Sequence, residues 1–303
     1  VAADVFTQRM STTRSASDCN ALVFGASGQI GHFLLPHLLD QGVSVEAVSR
    51  HPPTQASSVL WTQFDIHVGG DAARRPDLVF SAGPLDGLVS WLARTRHRPS
   101  RIVAFSSTSA LSKQNSIDPD ERALAERLLE AEASLAAYCQ ARGIAWTILR
   151  PTLIYGCGKD ANLSRIAALA RRWHCLPLPR HARGLRQPVH AQDLALGAWC
   201  AVNAAASAGK CYEVCGGETL AYDEMVRRTL ACLSPPAQLV RVPSSLLQAG
   251  VWALSKFHRG PGLSPSMLRR MGEDLVFPDA AARRDFGWKP RAFEPQASDF
   301  PNP

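Results

Sequence analysis

The sequence predicts an α/β protein: a doubly wound parallel sheet with a smaller C-terminal lobe. Three observations carry this. Through the first half, short apolar runs alternate with segments of helical length, and such alternation implies parallel strands with helices on both faces. The first run breaks into glycines and resumes at once as a helical pattern, "ALVFGASGQIGHFLL" over residues 21–35. After Arg150 the pattern turns irregular and proline-rich, as in a lobe assembled from insertions and a C-terminal extension. The 303 residues, 46% hydrophobic and 19% charged, have an ordinary globular composition and room for one large domain with such a lobe.

In chain order, residues 1–19 are polar and turn-prone, with no apolar core of signal-peptide length, and read as a disordered lead-in. Strands are expected over 21–24, 43–49, 59–66, 77–82, 101–107 and 145–150. The clearest helix covers 119–142: Pro119 suits its first turn, acidic residues follow, and Gly143 stops it. Pro36, inside the helix after the glycines, costs ~3 kcal/mol in a regular interior and predicts a kink. Only eleven residues, "HVGGDAARRPD", join the third strand to the fourth, so that crossover helix is reduced or missing. Further helices are expected near 160–172, 193–206, 221–232 and 264–272. The implied division is a lead-in over 1–19, a core over 20–155, and a lobe over 156–303 with some segments returning to the core.

The net charge of +7 favours anionic partners, and only five of the 33 basic residues are lysine. Arginine grips phosphate and carboxylate with a two-pronged fork, although GC-rich coding would enrich it equally. Eight cysteines form no framework, and Cys211 and Cys215 have neither zinc-knuckle nor redox spacing; reduced thiols in a cytoplasmic protein account for them. No histidine or carboxylate pair has metal-ligand spacing. No run reaches the roughly 20 apolar residues of a membrane span. The segment from Val242 reads as an amphipathic helix, and docking to a membrane surface through Leu246 to Trp252 is a minor reading.

The glycine turn solves a packing problem. Gly25 permits the tight turn, Gly28 clears a side chain from the path of a pyrophosphate, and Gly31 lets the helix lie close to the strand. Phosphates would meet the unpaired amides at the helix start, Gln29 and Ile30 among them, where the dipole favours negative charge; Ser27 can add a hydroxyl. This points to a Rossmann-type dinucleotide site, the alternative being a glycine turn with no ligand. The second strand ends in Ser49 and Arg50, about twenty residues on, where an acid would bind a ribose 2′-hydroxyl and a cation accommodates a 2′-phosphate. NADP is therefore favoured over NAD, against a merely solvated arginine. Asp65, followed by Ile66, is placed to accept from an adenine amino group, and Ser81, Ala82 and Gly83 are small enough to let the backbone pass close to a ribose.

Together "VFGASGQIG", "DI" at 65–66, "FSSTS" at 105–109, "TILRPTLIYG" at 147–156, "RQPVHAQDLA" at 186–195, "CYEVCGGETLAYDEM" at 211–225 and "DFGWKPR" resemble the extended and atypical short-chain dehydrogenase/reductase superfamily. The branch is that of the NAD(P)-dependent nucleotide-sugar epimerases and dehydratases, and the likeness runs from about residue 20 to about 292. It implies hydride transfer between a substrate carbinol carbon and nicotinamide, with a tyrosine as acid/base, a lysine four residues later, and a hydroxyl on the reacting oxygen. It places Ser106 beside the cofactor and Thr108 at the hydroxyl position. Counting back from Arg150, however, the tyrosine and lysine positions fall on Leu124 and Leu128, neither of which moves a proton. Tyr138 lies too late and reads as packing. Tyr155, Lys113 and Lys159 are the candidate substitutes, although a structural Tyr155 is common in the family.

From Ala161 to Gln192 there is no acid, and the stretch holds Arg165, Arg183 and Arg186 among six arginines. In the family this region lines the substrate's diphosphate, which bidentate arginines fix well; the rivals are a solvated basic face and, without interleaved aromatics, a less favoured nucleic-acid footprint. His190 and Asp193 read as structural, with Asp193 able to cap a helix. The long helix before Gly143 could pair two copies. The leading expectation is an NAD(P)-dependent oxidoreductase- or epimerase-like protein acting on a nucleotide-sugar or similar anion. The alternative is a non-catalytic NADP(H)-binding sensor or scaffold.

Overall fold

The computed structural model describes residues 19–53, 58–243 and 265–301. Most of the expected lead-in and the Leu246–Trp252 segment lie outside the described residues.

Seven strands form one wholly parallel sheet: β1 (Asn20–Phe24), β2 (Ser44–Ser49), β3 (Leu60–Gln63), β4 (Leu78–Ser81), β5 (Arg101–Phe105), β6 (Ala145–Pro151) and β11 (Lys210–Val214). Their spatial order is β3-β2-β1-β4-β5-β6-β11. The chain runs outward from β1 in one direction and then from β4 in the other, so the order reverses between β1 and β4. The crevice at that reversal, beyond the strands' C-terminal ends, is where such sheets bind ligands.

Alternation along β1 feeds two cores. Ala21 and Val23 face the layer of α1 (Gln29–Asp40) and α6 (Ala191–Asn203), whose Leu34, Leu38, Leu194 and Ala198 are buried. Leu22 and Phe24 face α2 (Leu85–Arg94) and α4 (Pro119–Arg142), meeting Leu88, Trp91 and Leu135. Each of the valine, leucine and phenylalanine side chains among them contributes ~1.5–3 kcal/mol by leaving water. A strand buried on both faces needs apolar residues at every position, which is why it reads as a continuous apolar run.

α4 begins where the Asp118 carboxylate accepts from the Asp120 amide at 3.0 Å, carries Pro119 in its first turn, and ends at Gly143 with φ 65°. α1 runs through Pro36 to Asp40. Pro36 is exposed, so water can satisfy the carbonyl that the missing N–H leaves free. β3 is shorter than the expected 59–66, because the Asp65 side chain accepts from the His67 amide at 2.9 Å and turns the chain. No helix crosses from β3 to β4. Buried Glu46 pins that link instead, accepting from Ala73 N at 2.7 Å, Arg74 N at 2.9 Å and the Thr62 hydroxyl at 2.7 Å.

The remaining strands pair in twos: β7 (Ile154–Tyr155) with β10 (Val189–His190), β8 (Cys175–Pro179) with β13 (Gln238–Val242), and β9 (Leu185–Arg186) with β12 (Leu220–Ala221). With α5 (Leu163–Trp173) and α7 (Tyr222–Ala231) they enclose a third core around Leu163, Leu176, Met225 and Phe293. Two further helices are short, α3 (Ser109–Ser112) and α8 (Pro265–Arg270). α9 (Ala280–Phe286) returns to the first core through Phe286 and Trp288. Among the described residues no helix is long and apolar enough to cross a membrane.

Candidate functional site

The site is built on the β1–α1 turn at the reversal point. Gly25 has φ 69°, and a Cβ there would sit 2.5 Å from the Ala82 carbonyl carbon and 2.6 Å from Gly83 N. The glycine turn and the loop after β4 therefore touch backbone to backbone. A Cβ on Gly31 would meet the Ala26 carbonyl oxygen at 2.3 Å, so α1 packs directly against its own entry turn. Gly28 differs: the nearest atom to a Cβ there is the Gly25 carbonyl oxygen at 3.0 Å, and nothing else lies within 3.4 Å. Gly28 is the N-cap of α1, no side chain caps its amides, and no acid stands in its first turn. The helix thus presents bare N–H groups and its positive end.

Of the sequence-derived positions, Ser49, Ala82 and Gly83 stand beside this turn. The hydroxyls of Ser27 and buried Ser49 are 3.3 Å apart, bringing the end of β2 beside the turn. Arg50 follows, exposed, its carbonyl accepting from Gln63 Nε2 at 3.0 Å. Ile66 is buried against Gly87, where a Cβ would meet it at 2.6 Å. Ser81 is fully buried, and its hydroxyl has no protein partner. An uncapped helix start, a glycine at its N-cap and an orphaned hydroxyl at the end of β4 together fit a bound diphosphate-linked nucleotide.

Farther along the strand ends lies a charged network. The Ser106 hydroxyl donates to Glu132 Oε1 at 2.5 Å. Arg150 pairs with Glu132 through two donors, and with Glu213 at 3.1 Å. Hydrogen bonding to Glu132, against the opposing effect of burial, holds the Arg150 guanidinium above its ordinary value. This network escaped sequence reasoning because its members come from β5, α4, β6 and β11; a polar residue recurring at the strand ends was the only signal. Leu128 and Leu124 stand four and eight residues before Glu132 on α4, on the same helical face, and both are half-buried. The wall expected to carry a proton-transferring pair is apolar.

Thr108 is buried, and its hydroxyl donates to the Pro151 carbonyl at 3.1 Å. In that arrangement it can accept from another group, with no proton to give. Lys113 lies 3.1 Å from Glu121, which also receives Arg270 at 2.8 Å and the Ser116 hydroxyl at 2.7 Å. Burial raises the Glu121 carboxyl, but the bonds from Ser116, Lys113 and Arg270 outweigh it and bring the value down to about 2. Lys113 is thus an ion-pair partner between α3, α4 and α8. Tyr155 is 1% exposed and packs edge-on against His190 and Phe293, each at 5.0 Å between ring centroids. Burial first, then Asp299, pushes its phenol well above the ordinary value, which works against a phenolate base.

Tyr155, Phe33, Lys159, His190, Arg291 and Asp299 line a cavity of about 540 Å³. His190 caps α6, its Nδ1 accepting from the Gln192 amide at 3.0 Å. Asp193, expected to cap, instead accepts from Arg291 N and Nε, both at 2.9 Å, and ties α6 to the C-terminal segment.

Of the three arginines singled out, Arg165 and Arg183 are exposed, with Arg183 Nε 3.7 Å from Asp223. Arg186 is buried and donates to the carbonyls of Leu185 at 2.8 Å and Glu273 at 2.7 Å, and to that of Arg270. Its donors tie the lobe together. Among the described residues no group of three or more His, Cys, Asp or Glu is placed to hold a metal ion.

Residues 25–160 match the family model described as NAD(P)H-binding. The chain is 24% identical over 318 aligned positions to a 2-alkyl-3-oxoalkanoate reductase of Stenotrophomonas maltophilia, covering 89% of this chain and 94% of that one. It is 26% identical over 161 residues to a UDP-glucose 4-epimerase of Vibrio cholerae, a match spanning 53% of this chain and about half, 47%, of that enzyme. The structure of the Thermotoga maritima UDP-glucose 4-epimerase with UDP-glucose superposes with a TM-score of 0.70 at 14% identity, covering 93% of this chain and 97% of that one. Residues 25–160 thus resemble NAD(P)H-binding domains, and the chain shares its fold with the Thermotoga maritima UDP-glucose 4-epimerase.

Proposed function

We propose that the chain binds a nicotinamide dinucleotide, NADP(H) ahead of NAD(H), across the ends of β1 and β4, and acts as an oxidoreductase- or epimerase-like protein on an anionic substrate such as a nucleotide-linked sugar. The observation that carries the reading is the bare N-terminus of α1 beside Gly28. Gly25, Ser27, Gly28, Gln29, Ile30 and Gly31 would hold the pyrophosphate, Ser49 and Arg50 the 2′-phosphate, Asp65 and Ile66 the adenine, and Ser81, Ala82, Gly83 and Ser106 the ribose and nicotinamide side. The nicotinamide would supply or take the hydride. Residues 20–155 serve as the dinucleotide core and 156–303 mainly as the substrate lobe, whose exposed Arg165 and Arg183 suit an anion. The fold neighbour that holds UDP-glucose supports a nucleotide-sugar.

Leu124 and Leu128 favour a second reading, dinucleotide binding without turnover, as in a redox sensor or scaffold. In an enzyme, Thr108 would accept a hydrogen bond from the reacting hydroxyl, and the proton would leave by a group outside α4. Calorimetry with NADPH and NADH tests binding, and heat with neither ends both readings. A panel of UDP-, GDP- and dTDP-sugars and 3-oxoalkanoates then separates them. Turnover lost in Thr108→Ala supports the enzyme; intact binding with no turnover across the panel supports the sensor.

A further inference from the structure

We infer that Lys159 is a phosphate clamp, reaching from the loop after β7 to hold the dinucleotide's pyrophosphate against the glycine turn. This rests on the dinucleotide reading above. Lys159 Nζ donates to the Ser27 carbonyl at 2.6 Å, across 132 residues of chain. The loop it comes from is pinned. Gly156 and Gly158 have φ of 124° and 70°, and a Cβ on them would meet His190 Nε2 at 2.5 Å and Pro301 Cδ at 2.7 Å. Gly158 N donates to the Asp299 carbonyl at 2.9 Å, and the Asp160 carboxylate accepts from Asn162 N and Ser164 N, both at 3.0 Å.

The electrostatics call for an anion. Lys159 stands at the start of α1, where the helix is positive, and a cation in that place is unfavourable. No acid occupies the first turn, no side chain caps it, and Lys159 forms no ion pair among the described residues. Two sources of positive potential meet over bare amides. One ammonium hydrogen is given to Ser27; the other two are open to phosphate oxygens. Lys159 would grip the part common to both dinucleotides, whereas Arg50 would read the 2′-phosphate alone.

The test is calorimetry of the full chain with NADPH, NADH and 2′-AMP, the last carrying adenosine and the 2′-phosphate without a pyrophosphate. Lys159→Met should weaken both dinucleotides by a similar factor, about tenfold or more for a lost charge-assisted hydrogen bond, and leave 2′-AMP unchanged. Lys159→Arg should retain most of the affinity. Arg50→Met, as the control, should weaken NADPH and 2′-AMP and spare NADH. Unchanged dinucleotide affinity in Lys159→Met overturns the proposal. So does an equal loss for 2′-AMP, which would make the lysine a structural tie. A wild-type chain that binds neither dinucleotide fails at the earlier step and removes the dinucleotide reading itself.

Discussion

A methyl group at Gly25 would press into the Ala82 carbonyl on a backbone with φ 69°. The left-handed conformation alone costs an ordinary residue ~1–2 kcal/mol, and the contact is with backbone that has nowhere to go. Gly25→Ala should therefore lower unfolding stability in urea by more than ~2 kcal/mol. At Gly28 a methyl group meets only the Gly25 carbonyl oxygen, at 3.0 Å. Gly28→Ala should cost less stability in urea than Gly25→Ala and lose most of its NADPH binding, because the added group occupies the approach to the amides. If Gly28→Ala binds NADPH as the wild type does, the phosphates sit elsewhere. Tyr155 shows the limit of residue identity: its type suits proton transfer, but full burial between His190 and Phe293 removes the water that an ionised phenol needs.

Elements here are joined by carboxylates more than by loops. Glu121 collects Lys113 after α3, Ser116 before α4 and Arg270 on α8. Its folded value of about 2 lies below the ordinary 4.5. A depressed carboxylate contributes stability that is whole above the unfolded value and is lost as pH falls through the folded one. The contribution should fade between about pH 4.5 and 2. Glu121→Gln should be less stable than wild type at pH 7, and the gap should close on acidification across that window in urea titrations. A gap that stays constant with pH would mean the three partners do not depend on the charge. The β3–β4 link follows the same logic: Glu46 substitutes for a crossover helix by accepting from two loop amides and a threonine. α4 shows the opposite case, an element whose Asp118 cap, proline start and glycine stop are all local in sequence.

For the whole molecule, a dinucleotide across β1 and β4 would bridge the two halves of the sheet and bind only the folded chain. Linkage then requires stabilisation of about 2.7 kcal/mol at a ligand concentration a hundred times Kd. NADPH should raise the urea midpoint accordingly, and NADH should do so at higher concentration; no shift with either, in material that titrates by calorimetry, would show binding to a non-native state. Six of the sheet's seven strands, the helix at 119–142, the glycine turn and the likeness to NAD(P)H-binding domains were legible from residues 21–150 because they rest on local periodicity, caps and turns; β11, at Lys210–Val214, was not. The lobe was legible only as irregular, since its strands are two to five residues long and pair with partners far away in the chain. The sequence by itself determined that the first strand of a parallel sheet ends in a glycine turn leading into a helix, and that Leu124 and Leu128 hold the positions where the family resemblance implies a proton-transferring pair. Tertiary structure alone decided that Tyr155 is buried, that Lys113 and Arg186 are spent on internal partners, and that Lys159 lies over Ser27. Those outcomes depend on distance in space between segments up to 149 residues apart, and no local pattern encodes such a distance.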